Sequence, residues 1–186
     1  MKLRPRKKNK PAAAPAKKRT AVTEATIRQI LVPIDFSDYS KNALLYAVSI
    51  AKQFKAALLL IYVVEPTIYP ADFSFGQVVL PNIEKELRER GQIELDELVR
   101  THCADAVEAK TMVCTGKPFL EIVRTADERD IDLIIMATHG HTGMEHLIFG
   151  GTAEKVLRKA PCPVMMLRPA GEVGEGGKNR SAVEND

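Results

Sequence analysis

The chain has 186 residues, 45% of them hydrophobic, which suffices for one ordinary domain with its own core. Tryptophan is absent and aromatic residues make up 5% of the chain. No apolar run reaches the roughly 18–20 residues of a bilayer span. The basic N-terminus is not followed by an apolar stretch. A base-stacking platform, a membrane span and a secretory signal are therefore not expected.

The net charge of +3 hides a strong asymmetry. The first twenty residues contain nine Lys or Arg and no acid, which leaves 18 basic and 24 acidic residues elsewhere. Residues 1–26, rich in Lys, Pro and Ala, are predicted to form a disordered tail. The tail is either a solubilising arm or an arm that binds a polyanion, meaning nucleic acid, a ribosome or an anionic membrane. Residues 170–186 are predicted to be a second flexible tail, so that residues 27–169 form the folded domain.

Strand and helix patterns alternate between the tails. Residues 29–34 predict a short apolar strand, and Ser37 or Asp38 is suited to cap a helix over residues 39–54. The uninterrupted apolar run over residues 57–64 is typical of a strand buried on both faces.

The second half continues the alternation after an irregular loop over residues 65–80. A charged helix is predicted over residues 81–102, with five apolar residues facing inward: Ile83, Leu87, Ile93, Leu95 and Leu98. The elements that follow are a strand (107–113), a helix begun by Pro118 (118–129), a strand (132–136), a helix (150–159) and a strand (163–167). This order predicts a doubly wound parallel sheet with helices on both faces.

One glycine-rich loop stands out as a candidate anion site. The apolar run over residues 133–136 is followed by Ala-Thr-His-Gly-His-Thr-Gly at 137–143, and Gly-Gly-Thr at 150–152 opens the last helix. A buried strand that leads through such a loop into a helix is where α/β proteins hold phosphates, because unpaired N–H groups and the helix dipole meet there.

Cysteine and histidine usage points away from disulfides and metals. The chain has three cysteines and no C-x-x-C pair, which favours a reduced, cytoplasmic protein. Cys114 and Cys162 are interpreted as small buried hydrophobes. His139, His141 and His146 lie close in sequence, but no Asp, Glu or Cys partner has convincing ligand spacing, so no metal site is expected.

Three motifs resemble those of the universal stress protein family. They are Leu-Val-Pro-Ile-Asp-Phe-Ser at 31–37, Ala-Thr-His-Gly at 137–140 with Gly150 nine residues later, and Ala-Glu-Lys-Val-Leu at 153–157 followed by Ala-Pro-Cys-Pro-Val at 160–164. They occur in the right order on the right elements and span about residues 28–168. Each motif is weak alone, but together they are specific.

The resemblance implies a fold and an activity. The fold is a single five-stranded parallel α/β sheet with strand order 3-2-1-4-5. The activity implied is that of a homodimeric regulatory module of the stress response that binds ATP with Mg²⁺, with slow ATP hydrolysis at most rather than efficient catalysis. The fifth strand, Val164, Met165, Met166 and Leu167, would pair with its copy in a second subunit; burial under a helix or the C-terminal tail is the alternative.

The ATP-binding members have Gly, two residues, Gly, nine residues, Gly, then Ser or Thr. Here these places are taken by Ala137, Gly140, Gly150 and Gly151, with Thr152 one residue later. Ala137 adds one methyl group where the chain passes the ligand. Gly151 keeps an N–H donor but lacks a hydroxyl, and a lost hydrogen bond to a charged group costs about 1.5–3 kcal/mol.

By the same resemblance, residues on the first two strands contact the adenosine. Asp35 would contact the adenosine or its ribose, with helix capping as the alternative reading. Pro33 and Val63 would line the adenine, although a strand-end proline and a core valine would look the same. His139 could interact with phosphates.

The loop residues carry the phosphate contacts in this interpretation. Gly140, Gly143 and Gly150 would let N–H groups point at phosphates, or would serve ordinary turns. Gly151 and Thr152 would contact phosphate from the start of the last helix, or simply begin it. Two other functions stay open: a nucleotide-free interaction protein of the same fold, and, less favoured because it lacks the H-x-G-H signature, an adenylyl-transfer enzyme.

Overall fold

Five parallel strands form one sheet, and the computed structural model describes residues 26–66, 81–139 and 150–168 of the chain. The elements are β1 (Gln29–Pro33), α1 (Asp38–Phe54), β2 (Ala57–Val64), α2 (Pro81–Leu98), β3 (Ala109–Thr115), α3 (Pro118–Glu128), β4 (Leu133–Ala137), α4 (Gly151–Lys159) and β5 (Val164–Leu167). The strand order is β3-β2-β1-β4-β5, which confirms the predicted fold.

The sheet is buried on both faces by two separate cores. Alternate side chains of β1 show the division: Ile30 and Val32 join the core under α1 and α2, whereas Leu31 joins the core under α3 and α4. All three are fully buried. Apolar residues on both faces of the central strands explain why the apolar runs show no alternation in sequence.

The sheet changes winding direction between β1 and β4. β1 pairs with β2 on one side, with Leu31 opposite Leu59, and with β4 on the other, with Leu31 opposite Ile134. From β1 the chain passes outward through α1, and from β4 it passes outward through α4 on the opposite face. Ligands of open α/β sheets bind outside the carboxyl ends of the strands at such a switch point.

Local hydrogen bonds mark both ends of helix α1. The N-cap is Ser37, not Asp38, and its Oγ accepts a hydrogen bond from the backbone N–H of Ser40 at 3.2 Å. Lys55 ends the helix in the left-handed conformation, with φ of 53°. Its N–H donates to the carbonyl oxygen of Ala51, which satisfies one of the last helical acceptors.

The α2–β3 region departs from the sequence prediction. Helix α2 ends at Leu98, and a wider π-helical turn over Val99–Cys103 leads toward β3, which lies two residues later than predicted. Leu95 and Leu98 are buried as expected, but Ile83 and Ile93 are 39% and 69% exposed, so their inward assignment was wrong. The helix covers only β2 and the edge strand β3, so a narrow apolar stripe suffices to pack it.

Strand β5 forms the other edge of the sheet and pairs with β4 in parallel, with Met166 opposite Met136. Met165 is 39% exposed, and Val164, Met166 and Leu167 are partly buried.

No helix within the described part of the chain is long and apolar enough to cross a membrane. The predicted domain boundaries stay predictions.

Candidate functional site

A pocket of about 320 Å³ opens at the carboxyl ends of β1, β2 and β4. The starts of α3 and α4 complete its wall. Eight of the ten residues proposed from the sequence line it: Pro33, Asp35, Val63, Ala137, His139, Gly150, Gly151 and Thr152. The other two, Gly140 and Gly143, lie outside the described residues. Elements far apart in sequence therefore meet where the switch point predicts a ligand.

Asp35 belongs both to the pocket and to the turn that starts α1. Its Oδ1 accepts hydrogen bonds from the backbone N–H of Ser37 at 3.0 Å and from the Ser37 hydroxyl at 2.5 Å. The Asp35 N–H faces Ser40 Oγ at 3.4 Å. This network fixes the direction of the carboxylate, and Asp35 positions the N-cap residue Ser37 rather than capping α1 itself.

Phe36, the residue after Asp35, forms an aromatic pair with Tyr62 that the sequence analysis did not single out. Phe36 has a φ of 64°, a left-handed conformation that is uncommon for a bulky residue. Its ring lies 4.7 Å from the ring of Tyr62, centroid to centroid. Burial, followed by the nearby carboxylates of Glu94 and Asp35, raises the pKa of the Tyr62 hydroxyl.

Gly91 of α2 allows Tyr62 to occupy this position. A Cβ atom on Gly91 would lie 2.4 Å and 2.5 Å from two ring carbons of Tyr62, closer than any van der Waals contact permits. Tyr62 itself lines the pocket. A glycine in the middle of a charged helix is the sequence signal that would have revealed this approach.

Thr138 connects three parts of the site from a position that is 1% exposed. Its Oγ1 donates to the carbonyl oxygen of Leu167 at the end of β5, at 3.3 Å, and lies 2.9 Å from Nδ1 of His139. The tautomer of His139 decides which of the two atoms donates in the second contact. The Thr138 carbonyl oxygen accepts the N–H of Gly150 at 2.8 Å.

The start of α4 supplies backbone donors to the pocket. Gly150 is the N-cap, has extended backbone geometry and offers no side-chain hydrogen bond to the helix. A helix leaves its first N–H groups without intrahelical partners, and its dipole is positive at that end. A Cβ on Gly150 would meet the Thr138 carbonyl oxygen at 3.2 Å, whereas a Cβ on Gly151 would meet nothing within 4 Å.

No cluster of three or more His, Cys, Asp or Glu side chains within the described segments could hold a metal ion. His141 and His146 lie outside those segments. All three cysteines are free thiols and buried: Cys103, Cys114 and Cys162. Burial raises the pKa values of the Cys103 and Cys114 thiols, which keeps them protonated near neutral pH.

The fold and pocket define an open parallel α/β protein with a pocket at its topological switch point. The family model described as "Universal stress protein family" matches residues 26–168, and the chain belongs to that family.

Individual relatives agree with this assignment. The chain is 35% identical over 148 residues to universal stress protein MJ0531 of Methanocaldococcus jannaschii, covering 78% of this chain and 84% of that one. It is 30% identical over 145 residues to universal stress protein YxiE of Bacillus subtilis, covering 75% and 98%. Among solved structures, UspA of Lactobacillus plantarum has a TM-score of 0.64 at 28% identity, covering 78% and 100%.

Proposed function

We propose that the protein is an ATP-binding, homodimeric regulatory module of the stress response that acts in the cytoplasm. One observation carries the proposal: the N-terminus of α4 at Gly150–Thr152 and the acidic residue Asp35 line the same pocket. The first suits phosphates, and the second suits the hydroxyls of a ribose. The three free thiols suit a reducing compartment.

The orientation of the nucleotide follows from the polarity of the wall. Pro33 and Val63 present apolar surface beside β1 and β2, which suits the adenine ring. Gly150 and Thr152 lie toward α4, so the phosphates would extend in that direction. Asp35 follows Pro33 by two positions at the end of β1, and its carboxylate is proposed to bind the hydroxyls of the ribose.

Solved family members support a nucleotide as the class of ligand. One structure is of a universal stress protein in complex with cAMP, at 22% identity and a TM-score of 0.54. Another, from Archaeoglobus fulgidus, is in complex with dAMP, at 18% identity and a TM-score of 0.54. Those ligands belong to those proteins, and the pocket geometry is the reason for proposing a nucleotide here.

Mg²⁺ is proposed to arrive with the nucleotide. It prefers phosphate oxygens, water and one or two carboxylates, and the pocket wall includes the carboxyl groups of Asp35 and Glu65. No described residue is arranged as an arginine finger over the pocket, so ATP hydrolysis is expected to be slow at most.

The homodimer is proposed to form through β5. The outward edge of this strand has no partner strand among the described residues. Met165 is exposed on it, and an apolar open edge invites pairing with another chain. The carbonyl oxygen of Leu167, the last residue of this strand, accepts a hydrogen bond from Thr138, which lines the pocket, so a hydrogen bond connects the proposed dimer strand to the pocket.

Calorimetric titration with Mg-ATP tests the proposal, together with acid release of any nucleotide that co-purifies. The wild-type chain should bind with a micromolar dissociation constant, and Gly150→Val should abolish binding because its side chain meets the Thr138 carbonyl and fills the phosphate region. Gly151→Ala is the matched control, since its methyl group enters open space. Equal binding by the wild type and Gly150→Val would refute the placement of the phosphates.

A nucleotide-free interaction protein is the second candidate. Ala137 and Gly151 favour it, because they replace a glycine and a hydroxyl residue of the ATP-binding pattern. If the wild type releases no nucleotide and shows no heat with Mg-ATP, while Gly150→Val remains folded and dimeric, the second candidate holds.

A further inference from the structure

Asp35, which lines the pocket, is bonded twice by its neighbour Ser37. The Ser37 hydroxyl donates to Oδ1 of Asp35 at 2.5 Å, and the Ser37 backbone N–H donates to the same oxygen at 3.0 Å. Hydrogen bonds from a hydroxyl to a carboxylate are shorter and stronger than those between neutral groups. Two such bonds from one residue restrict the rotation of the carboxylate.

The hydroxyl of Ser37 has one proton, and the contacts around it determine where that proton lies. Oγ of Ser37 accepts the backbone N–H of Ser40 at 3.2 Å, as the N-cap of α1. A backbone N–H group can only donate, so this contact uses a lone pair of Oγ and leaves the proton for the carboxylate of Asp35. Ser37 therefore caps the helix and bonds to Asp35 at the same time.

Ser37 itself has little freedom to move. It is 7% exposed, and its carbonyl oxygen accepts the Ser40 hydroxyl at 3.0 Å and the Lys41 N–H at 3.1 Å. Its N–H, hydroxyl and carbonyl groups thus all have partners at the start of α1. A residue that orients a binding group must itself be held in this way.

The backbone between Asp35 and Ser37 has an uncommon conformation. Phe36 has a φ of 64°, and strain of this kind persists only where the surrounding contacts enforce it. The Phe36 ring packs 4.7 Å from the ring of Tyr62, centroid to centroid. Asp35 before this turn and Ser40 after it both line the pocket. The strained turn is therefore part of the pocket wall.

We propose that Ser37 is a positioning residue that makes the pocket select nucleotides with ribose hydroxyls over nucleotides that lack them. The inference rests on the proposed function, in which Asp35 accepts hydrogen bonds from the ribose. Among the described residues, the pocket wall includes Asp35 and Ser40 but not Ser37, so Ser37 acts through Asp35. An oriented acceptor discriminates well, because a ligand without the matching donor leaves it unpaired.

The competing interpretation is that Ser37 serves the fold alone, as the cap of α1. Loss of a cap lowers stability and would weaken the binding of every nucleotide to the same extent. A positioning role weakens only the binding of ligands that have ribose hydroxyls. The ratio of two dissociation constants separates these interpretations, because any change in the folded fraction cancels in it.

The test is calorimetric titration of the full chain with Mg-ATP and with the Mg complex of 2′,3′-dideoxy-ATP, which lacks both hydroxyls. The wild type should bind ATP about ten- to a hundredfold more tightly, as expected for a hydrogen bond to a charged group. Ser37→Ala should lower this ratio about tenfold, through weaker binding of ATP and not through tighter binding of the dideoxy compound. Ser37→Thr keeps the hydroxyl and should keep the ratio.

Ala51→Gly is the matched control, since glycine destabilises α1 near its opposite end, away from Asp35. It should lower the midpoint of urea unfolding, as Ser37→Ala does, and keep the wild-type ratio. Ser37→Gly is a second variant without the hydroxyl, because glycine at an N-cap destabilises a helix much less than alanine. It should lower the ratio while its urea midpoint stays near that of the wild type.

Three outcomes would overturn the inference while leaving the nucleotide site in place. The first is equal affinity of the wild type for both nucleotides, and the second is an unchanged ratio in Ser37→Ala and Ser37→Gly. The third is an equal fall of the ratio in Ser37→Ala and Ala51→Gly, which would assign the effect to the stability of α1. A wild type that binds neither nucleotide would instead refute the proposed function, on which the inference depends.

Discussion

The backbone N–H of Gly150 donates to the carbonyl oxygen of Thr138 at 2.8 Å, and this bond joins the end of β4 to the start of α4. The two residues are separated by eleven positions, most of which lie outside the described residues. Thr138 also bonds to Leu167 of β5, so the start of α4 is connected through Thr138 to the two neighbouring strands β4 and β5. The candidate phosphate site is thus anchored to the core of the sheet.

Replacing Thr138 with valine should lower both stability and nucleotide affinity. The change removes the hydroxyl that bonds to Nδ1 of His139 and to the carbonyl oxygen of Leu167, and losing such bonds at a buried position costs about 1–3 kcal/mol of the free energy of unfolding. Thr138→Ser keeps the hydroxyl and should retain the wild-type affinity. Urea unfolding and calorimetric titration with Mg-ATP measure the two effects.

If Thr138→Val binds nucleotide as tightly as the wild type and Thr138→Ser binds it more weakly, the methyl group and not the hydroxyl matters, and the proposed link to His139 is wrong. If Thr138→Val lowers stability alone, the link serves the fold and not the pocket.

Restoring a hydroxyl at Gly151 should strengthen ATP binding. The space around this residue is open to 4 Å, so Gly151→Ser fits without displacing a neighbour. A hydrogen bond to a charged phosphate contributes about 1.5–3 kcal/mol, or roughly ten- to a hundredfold in affinity. Gly151→Ala, measured in the same titration, controls for the loss of glycine flexibility. A serine variant no tighter than the alanine variant would show that no phosphate oxygen lies within reach.

A methyl group at Gly91 should destabilise the protein although the residue lies in a helix. Alanine favours a helix over glycine by about 1 kcal/mol. The Cβ would overlap the Tyr62 ring at 2.4 Å, and overpacking costs typically about 1–3 kcal/mol. Gly91→Ala should therefore lower the free energy of unfolding in urea, and adding Tyr62→Leu should recover the loss. A Gly91→Ala variant more stable than the wild type would contradict the contact.

Alkaline pH should weaken the fold through its buried thiols. The pKa values of Cys103 and Cys114 are raised above the ordinary value of 9.0, mainly by burial. The unfolded chain then loses these protons at lower pH than the folded chain does, so stability falls as pH rises above about 9. The raised pKa of Tyr62 extends the loss above its ordinary value of 10.0.

Urea unfolding measured from neutral pH upward checks this trend. The reactivity of Cys103 and Cys114 toward a disulfide reagent should stay low in native buffer and rise in urea. A flat stability profile through this alkaline range would argue against buried, protonated thiols.

A charge on the outer strand should separate the proposed dimer. Met165 is 39% exposed on β5, so Met165→Glu is compatible with the monomer fold but places like charges across a paired strand. Light scattering after size-exclusion chromatography should show a dimer for the wild type and a monomer for the variant. Leu157→Glu is the control on α4, where the side chain is 48% exposed. If Met165→Glu is a dimer like the wild type, β5 does not form the dimer interface.

Local sequence patterns predict much of this fold. The apolar run of β2 has the bounds that its residues indicate, and Ser37 is one of the two caps of α1 that side-chain chemistry and position suggest. Such features depend on residues close in sequence, so sequence alone can reveal them. The order of the strands came from the resemblance to a family, because pairing depends on contacts between distant segments.

The start of β3 and the exposure of Ile93 were missed for the opposite reason. A π-helical turn after Leu98 changes where the chain re-enters the sheet, and the coverage of one edge strand decides which face of α2 is buried. Neither depends on propensity alone. The chain's own sequence determined its elements, its glycine-rich loop and its charge asymmetry, since these follow from residue type and spacing. Only the tertiary structure brought Phe36 and Gly91 against Tyr62 and bound Thr138 to Leu167, because packing across the sheet sets these distances.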